Sequence, residues 1–334
     1  MSKLPEGQAL LELRHAVRRW TAEHGGGGVA VALSGGADSL ALTAAAVAEA
    51  GPVHALVVDH RLQDGSAEVA ARAAERALAL GCASARVLAV RVHGSGGMEA
   101  AARRARYEAL DGAREGRAVL LGHTLDDQAE TVLLGLSRGS GPRSLAGMRD
   151  YDAPWGRPLL RVRRAVTARA CAELALPPYQ DPHNSSPEFT RVRLRTEALP
   201  LLEQILGGGV AQALARTADQ LREDGEVLDA LASELLAEAE RVDGGASELE
   251  VTALAGAHPA VRRRALRSWL LAGGARSLTD GQLRAADELV GRWRGQGGVA
   301  VGGGRPGVRL VLSRRRGRLS VGLVSDPQSE QQRG

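Results

Sequence analysis

The chain has 334 residues, which is enough for two domains that each bury a core. Its hydrophobic fraction of 44% is ordinary for a globular protein, and it has no apolar run of bilayer-spanning length, which argues against a membrane partner. The net charge of +4, carried almost entirely by arginine, permits an anionic partner without requiring one.

The start of the chain and the cysteines both favour a cytoplasmic protein. Residues 1–20 mix charged and apolar side chains in an amphipathic pattern and contain no apolar core of a secretory leader. Cys82 and Cys171 form neither a C-x-x-C pair nor a zinc-binding spacing. We therefore expect an N-terminal cap helix and two buried thiols in a reducing compartment.

A phosphate-binding loop is predicted where an apolar strand at 29–33 meets a glycine turn. The turn reads Ser34, Gly35, Gly36, Ala37, Asp38, Ser39, and an alanine-rich helix follows to about Ala50. The first N–H groups of a helix are unpaired and attract anions, and adjacent glycines let the backbone wrap a phosphate. Because the Asp38 carboxylate would repel phosphate, we expect Mg²⁺ to bridge them.

Strands and helices then alternate. Strands are predicted at 53–58, 87–92 and 118–121, with helices at 66–80, 99–114 and 126–137. This order predicts an α/β fold, a doubly wound parallel sheet whose ligands lie at the carboxyl ends of its strands. Asp59, His60 and His123 fall at such ends, as Ser34 does, and are predicted to contact the nucleotide.

The helix after the fourth strand concentrates acidic residues beside His123. Asp126 and Glu130 are four residues apart and share a helix face, and Asp127 lies three residues before Glu130. Helix capping accounts for one acid in a first turn but not for three acids beside a histidine. The cluster is predicted to bind Mg²⁺ or a cationic substrate.

These segments resemble the PP-loop ATP-pyrophosphatases, in which S-G-G-x-D-S precedes H-x-x-D-D-x-x-E-T. Further motifs are similar to those of the tRNA(Ile)-lysidine synthase family within that group. The similar segments are E-x-x-A-R-x-x-R-Y near 99–107, R-G-[ST]-G at 138–141, L-x-G-M at 145–148, R-P-L-L at 157–160, D-P-[ST]-N at 181–184 and R-N-R-[IL]-R at 191–195. His183 and Val192 depart from the usual Ser or Thr and Asn, and the resemblance covers about residues 25–205.

The resemblance implies an ATP-dependent ligase acting on tRNA(Ile) with a CAU anticodon. The C2 carbonyl of the wobble cytidine is adenylated, and free L-lysine then displaces AMP. It implies Mg²⁺ on Asp38 and Asp127, and lysine on Asp126 and Glu130. Arg103 and Arg106 are expected at the phosphate or the cytidine, completing the predicted catalytic set; a homodimer is left open.

The pattern changes after Leu206. We predict a catalytic domain over 1–206, a helical linker over 207–243, a small α+β tRNA-binding domain over 244–325 and a frayed tail over 326–334. The tail domain should contain helices at 258–270 and 279–293 and strands at 299–301, 308–312 and 319–324, after a linker helix at 210–241.

Three arginine clusters are candidates for contact with an RNA backbone. A solvated, arginine-rich surface is the alternative for each cluster taken alone, but a tRNA-modifying domain beside them favours contact. The predicted contacts are Arg191, Arg193, Arg195, Arg262, Arg263, Arg264, Arg267, Arg314, Arg315 and Arg316.

Two other function classes fit parts of the sequence. Another adenylating enzyme would be a tRNA thiolase, which normally needs paired cysteines, or an ammonia-dependent amide synthetase, which would not explain the arginine-rich tail. A non-catalytic tRNA-binding protein would not need intact Ser34, Asp38 and Ser39 or the three downstream acids.

Overall fold

Helix α1 (Gln8–His24) opens the part of the chain that the computed structural model describes, which comprises residues 7–25, 27–63, 65–93, 97–139, 141–181, 188–243, 246–305 and 307–325. The chain divides into two compact units. The first runs through Arg138 and resumes over Leu145–Ala218; the second contains Gly139–Ser144 and the chain from Asp219 onward. The division falls inside the helix that the sequence assigned to a linker.

The predicted parallel sheet is present in the first unit. Its strands are β1 (Val29–Ala32), β2 (Val53–Asp59), β3 (Ser84–Ala89) and β4 (Ala118–Leu120), and its helices are α2 (Ala37–Glu49), α3 (Ser66–Leu80), α4 (Met98–Ala113) and α5 (Leu125–Arg138). Strand β1 pairs in parallel with both β2 and β4, giving the order β3-β2-β1-β4. The order reverses between β1 and β4, which is where ligands bind in doubly wound sheets.

Strand β3 starts earlier than predicted, at Ser84 instead of Val87, and ends at Ala89. Ser84 pairs with His54 on β2, so the ladder begins in a segment that looks too polar for a strand. Strand β3 lies at the edge of the sheet, its side chains are half-buried or exposed, and even Val87 is 44% exposed, so hydrophobic patterning places this strand poorly.

Several short elements were missed by the sequence prediction. These are α6 (Pro142–Leu145), the two-residue strands β5 (Tyr151–Asp152) and β6 (Trp155–Gly156), and α7 (Arg164–Glu173). Strand β6 extends the sheet in parallel beside β4, and β5 pairs antiparallel with β6. Two-residue strands carry no readable periodicity, yet they lead the chain to α7.

Helices α1, α2 and α7 pack together on one face of the sheet. Leu40, Leu42 and the alanines at 41 and 44–46 on α2 are fully buried, alongside Leu13 and Trp20 of α1. On the other face, Leu110 of α4 covers the inner strands. A core of Ala, Leu and Val, as the scarcity of aromatics requires, lets α2 lie close to its neighbours.

The first unit ends in helices that carry the first arginine cluster. Helix α8 (Thr190–Arg193) continues through a π-helical turn (Leu194–Ala198) into α9 (Leu199–Ile205). The next helix, α10 (Val210–Ala239), is 30 residues long. Glu203 accepts the N–H groups of Val210 and Ala211 at 3.0 and 3.1 Å, so a side chain from α9 caps α10.

The second unit is an antiparallel sheet packed against helices. Its strands are β7 (Glu240–Asp243), β8 (Ala246–Glu250), β9 (Val299–Arg305), β10 (Val308–Arg315) and β11 (Arg318–Ser325), in the order β7-β8-β11-β10-β9. Its helices, besides part of α10, are α11 (Val251–Ala255), α12 (Pro259–Ala272) and α13 (Asp280–Gly291). Strands β7 and β8 were not predicted; α10 ends at Ala239 because Glu240 already pairs with Leu249 of β8.

Some predictions fall outside the described residues. They concern the first six residues of the cap helix, most of the D-P-x-N segment including His183 and Asn184, Gly244 and Gly245 at a predicted boundary, and the tail after Ser325. Among the described helices, no single one is long and apolar enough to span a membrane; by length and composition alone, the bent pair Thr190–Ile205 and Val210–Ala239 passes together.

Candidate active site

The phosphate-binding loop joins β1 to α2. Gly35 has φ of +84°, a left-handed conformation that other residues rarely adopt, and Gly36 leads into the first turn of α2. Among the described residues, no side chain caps the start of α2. The N–H groups of its first turn therefore remain open to an anion.

Ser34 and Ser39 brace this loop from within. Their hydroxyl oxygens lie 3.1 Å apart, and Ser39 also donates to the Gly36 carbonyl at 3.0 Å. The Tyr179 N–H donates to the Gly35 carbonyl at 2.9 Å and fixes the loop from outside. The predicted loop is therefore preorganised, and its backbone amides, more than its hydroxyls, are available to phosphate.

Gly122 brings the acidic helix to the loop. A Cβ at this position would lie 3.1 Å from both the carbonyl carbon of Asp38 and the nitrogen of Ser39. A side chain here would force the end of β4 or the start of α2 to shift by a few tenths of an ångström, so glycine suits this close approach. His123 and the start of α5 consequently lie beside Asp38. Sequence reasoning missed Gly122, although it directly precedes the histidine of the acidic motif.

Arg164, the first residue of α7, lies among the predicted acids. Its guanidinium donates to Asp127 Oδ1 at 2.6 Å from Nη2, to Glu130 Oε1 at 3.2 Å from Nη1 and to Asp38 Oδ2 at 3.3 Å from Nε. Its backbone N–H donates to Asp126 Oδ2 at 2.7 Å. The structure thus brings the four predicted acids together around one arginine that the sequence analysis did not single out.

A second arginine reaches the same carboxylates from the π-helical turn. Arg195 Nε donates to Glu130 Oε1 at 2.9 Å, and its Nη2 lies 3.8 Å from Asp127 Oδ1. The Glu130 side chain is only 1% exposed and is engaged by both Arg164 and Arg195. Arg195, predicted to contact tRNA, therefore belongs to the acidic cluster in this structure.

Two of the acids also cap helices. Asp127 Oδ2 accepts the N–H and hydroxyl of Thr124 at 2.8 and 2.7 Å and closes the first turn of α5. Asp126 caps the start of α7 through the Arg164 N–H. Capping thus explains one oxygen of Asp127 and one of Asp126, and leaves Asp127 Oδ1 facing the centre of the cluster.

The charges of the cluster follow from burial and these contacts. Burial raises the pKa of Asp38, although a hydrogen bond from the Thr167 hydroxyl and the charge of Arg164 oppose the rise. For Asp127 burial acts the same way, but the Arg164 charge and the bonds from Thr124 outweigh it and hold the pKa below its usual range. Arg164 and Thr124 thus keep Asp127 a carboxylate at neutral pH in spite of its burial.

A second group of side chains, here called the cationic pocket, lies at the neighbouring strand ends. It contains His60, His123, Arg103, Arg106 and Arg157. Burial lowers the pKa of His123 far below its ordinary value, and Arg157, Arg106 and Arg103 add to the effect. Burial and Arg106 also lower the pKa of His60. Both imidazoles are therefore neutral at pH 7.

This pocket contains buried nitrogens without partners among the described residues. They are Nδ1 of His60, Nδ1 of His123, Nε of Arg106 and Nε of Arg157. A buried unpaired donor or acceptor costs about 1–3 kcal/mol, and such groups are rare in native proteins. Their grouping around Arg106 indicates a polar ligand. Nearby, Arg103 donates to the Tyr107 hydroxyl at 3.3 Å and lies over its ring.

Asp59 has a structural task at the end of β2. It is 5% exposed, and its Oδ1 accepts the Arg61 N–H at 2.9 Å, which closes a turn in which Arg61 has φ of +53°. Only the other carboxylate oxygen of Asp59, Oδ2, is therefore left for the predicted contact with the nucleotide.

Comparison with known protein families covers both units. Residues 10–202 match the family model described as a PP-loop domain, and residues 249–320 match the one described as a TilS substrate-binding domain. The tRNA(Ile)-lysidine synthase of Rhodococcus jostii is 70% identical over 96% of this chain and 98% of its own length. The tRNA(Ile)-lysidine synthase of Nocardia farcinica is 68% identical over 92% of this chain and 97% of its own length.

The chain belongs to the tRNA(Ile)-lysidine synthase family. Membership confirms the predicted resemblance, the α/β PP-loop fold class and the assignment to the enzymes. Among solved structures, a U34-tRNA thiolase from Methanococcus maripaludis superimposes with a TM-score of 0.52 at 17% identity, covering 64% of this chain and 80% of that one. This likeness concerns the fold alone.

The donor set of this lysidine synthase family member fits Mg²⁺. Asp38 and Asp127 offer hard carboxylate oxygens next to the phosphate loop, which is the ligand type that Mg²⁺ prefers. The Arg164 guanidinium lies between these oxygens, so a metal there requires this side chain to move. Among the described residues, the group that meets a three-ligand metal spacing is instead Glu23, His24 and Asp150, outside the acidic cluster.

The structure places the predicted tRNA-binding arginines in different roles. Arg262 is 6% exposed, donates to Asp287 at 2.6 Å and bonds the Ala257 carbonyl at 3.1 Å, which makes it a core residue of the second unit. Arg314 donates to the Leu289 carbonyl at 2.7 Å and lies over Trp293. Burial of its side chain disfavours a tRNA contact for Arg262, whereas Arg314 is half-buried and its contact with tRNA stays a prediction.

Other arginines of the three clusters are paired in part. Arg264 shares Asp229 with Arg143 at 2.6 and 2.5 Å, and Arg193 pairs with Glu197 on the surface at 3.0 Å. Arg191 reaches Thr131 at 3.5 Å. Arg263, 3.6 Å from Asp287, and Arg267 lie on α12, whereas Arg315 and Arg316 are exposed around the turn between β10 and β11. The roles of these residues toward tRNA stay predictions.

Proposed function

We propose that the protein converts the wobble cytidine of a CAU-anticodon tRNA(Ile) to lysidine, with ATP and free L-lysine as co-substrates. The observation that supports this most is the acidic cluster next to a preorganised phosphate loop, in a chain 70% identical to a named lysidine synthase over 96% of its length. The enzyme is then a ligase that releases AMP and pyrophosphate.

The loop holds the triphosphate in the first step. Backbone N–H groups from Gly35 to the first turn of α2 bind the β- and γ-phosphates, so that the α-phosphorus faces the pocket of His60, His123 and Arg106. The C2 carbonyl oxygen of the cytidine attacks the α-phosphorus and pyrophosphate leaves. Arg103 and Arg106 bind the phosphate or orient the cytidine, and the neutral imidazoles offer hydrogen bonds without repelling the arginines.

Lysine attacks in the second step. Its neutral ε-amine forms the new bond at C2, AMP leaves with the former carbonyl oxygen, and the amine gives up a proton. The side chain of Asp126 is 17% exposed, against 1% for Glu130, so Asp126 is the more accessible acid; a lysine there would replace Arg163, whose Nη2 lies 3.0 Å from Asp126 Oδ1. Asp38 and Asp127 would hold Mg²⁺, which when bound neutralises phosphate charge.

Sulfur transfer is disfavoured by the two cysteines. Both are buried, and burial raises the pKa of Cys82 to about 12 and that of Cys171 to about 11. Their thiols stay protonated at neutral pH, whereas the nucleophile in sulfur chemistry is the thiolate. The thiolase alternative therefore has no reactive pair among these residues.

The test is incorporation of radiolabelled lysine into tRNA. A tRNA(Ile) transcript with a CAU anticodon should be labelled in an ATP-dependent reaction that yields AMP. The matched control transcript carries uridine in place of the wobble cytidine and should stay unlabelled. Labelling of both transcripts, or formation of ADP, would overturn the proposal.

A further inference from the structure

Arg164 contacts more carboxylates than a single ion pair would need. Its three guanidinium nitrogens are within 3.3 Å of three carboxylates on two helices, and its backbone N–H bonds a fourth. All four of these acids are ones predicted to bind Mg²⁺ or lysine. The Arg164 guanidinium thus occupies the place predicted for Mg²⁺ and for the lysine ammonium.

The guanidinium and a bridging metal exclude each other. A metal held by Asp38 and Asp127 needs their oxygens at about 2.0–2.1 Å, in the space where Nε and Nη2 of Arg164 now lie 3.3 and 2.6 Å from those oxygens. Two positive charges at that separation also repel. Metal binding therefore has to displace the Arg164 side chain.

A bound triphosphate would give the displaced side chain a new partner. Asp38 lies in the first turn of α2, so phosphates on the loop come next to the carboxylate that Arg164 contacts. Arginine binds phosphate with paired, charge-assisted hydrogen bonds.

The backbone that carries Arg164 is held in place. Asp126 caps the first turn of α7, and Glu173 at its other end accepts the N–H groups of Ala9 and Leu10 at 3.0 Å each. Thr167, one turn after Arg164, is fully buried. An exchange of partners therefore involves rotation of the Arg164 side chain and not displacement of the helix.

We propose that Arg164 is a resident counter-ion that makes cation binding conditional on nucleotide. Before ATP binds, it neutralises Asp38, Asp127 and Glu130 and competes with free divalent cations and with lysine. When a metal–triphosphate binds, the guanidinium moves to phosphate oxygens and the carboxylates take the metal. The inference rests on the proposed function only in taking the ligand to be a nucleoside triphosphate.

The experiment measures Mn²⁺ binding to the full chain by the electron paramagnetic resonance signal of free Mn²⁺, with and without a non-cleavable α,β-methylene ATP analogue. Arg164→Gln should bind Mn²⁺ at least tenfold more tightly than the unchanged protein when nucleotide is absent. The enhancement of Mn²⁺ affinity by the analogue should be smaller in this variant. Arg169→Gln is the matched control, because Arg169 lies on the exposed face of the same helix and its loss removes the same charge.

A second variant protects the test against misfolding. If circular dichroism shows that Arg164→Gln is unfolded, Arg164→Lys keeps a charge but has a single nitrogen, and its Mn²⁺ affinity without nucleotide should still exceed that of the unchanged protein. An unchanged or weaker affinity in a folded variant, or an equal gain in Arg169→Gln, would overturn the inference. Neither tRNA nor lysine is present, so failure of the proposed function would show separately, in the labelling assay.

Discussion

The Asp126 carboxylate accepts the backbone N–H of Arg164 at 2.7 Å, and this bond joins the first turn of α5 to the first turn of α7. The acidic motif and the R-P-L-L region are 38 residues apart in sequence at this contact. Asp126 therefore acts on the other acids indirectly, because it fixes the residue whose side chain neutralises them.

Asp126→Ala should destabilise the first unit. Loss of a helix cap costs about 1 kcal/mol, which lowers Tm by about 2–4 °C in a unit of 150–250 residues. Thermal melting by circular dichroism measures the change. Asp152→Ala, which removes an exposed acid in β5, is the matched control and should leave Tm within about 1 °C, as most exposed substitutions do. Equal Tm for the two variants would contradict the capping role.

Asp38→Asn should abolish tRNA-dependent pyrophosphate release while the fold persists. The substitution removes a charged ligand for the metal but keeps the size of the side chain and a partner for Thr167. We expect a loss of at least ~100-fold in pyrophosphate release, the scale of losing one preorganised electrostatic contact to the transition state. Thr167→Val keeps the carboxylate and should lose far less. Pyrophosphate release near that of the unchanged protein would remove Asp38 from the mechanism.

The free energy of unfolding should decrease as the pH is lowered below about 6.5, because of His123 and His60. Both have a pKa below the unfolded value of about 6.5, so the unfolded chain binds more protons than the folded one as pH drops below that value. The free energy of unfolding therefore becomes progressively smaller below about pH 6.5. His123→Asn and His60→Asn should each flatten this slope in urea titrations between about pH 6.5 and 5, and the double variant should flatten it further. Slopes equal to that of the unchanged protein would show that the two imidazoles are not held neutral.

The tail arginines should separate into surface and core classes. Arg315→Ala with Arg316→Ala should weaken tRNA binding and reduce the salt slope by roughly 0.7–0.9 per lost phosphate contact, with little change in Tm. Arg262→Ala should instead destabilise the second unit by on the order of 3 kcal/mol, because it removes a buried, paired guanidinium and leaves the half-buried Asp287 with a weaker partner. Titrations with tRNA at several salt concentrations, paired with melting curves, distinguish the classes. An unchanged salt slope for the exposed pair would assign tRNA recognition to other residues.

The sequence by itself determined the phosphate loop, the acidic motif, the parallel sheet and the family. Each depends on residues adjacent in the chain: the turn at Gly35 and Gly36 between strand and helix, or Asp126, Asp127 and Glu130 within one helical stretch. Local chemistry and periodicity decide such features, so a single segment carries the signal. The predicted strand β3 was displaced by three residues because an edge strand whose side chains are half-buried or exposed has weak hydrophobic patterning.

Only the tertiary structure decided what neutralises the acids and which arginines are free. Arg164 is one of several arginines between 157 and 169, and its role appears when β6, too short to predict, leads the chain to α7 beside α5. Arg262 and Arg263 are adjacent and chemically identical, yet the side chain of the first is 7% exposed and that of the second 29%. Burial and ion pairing depend on what packs against a residue from elsewhere in the chain, and neither residue type nor local spacing contains that information.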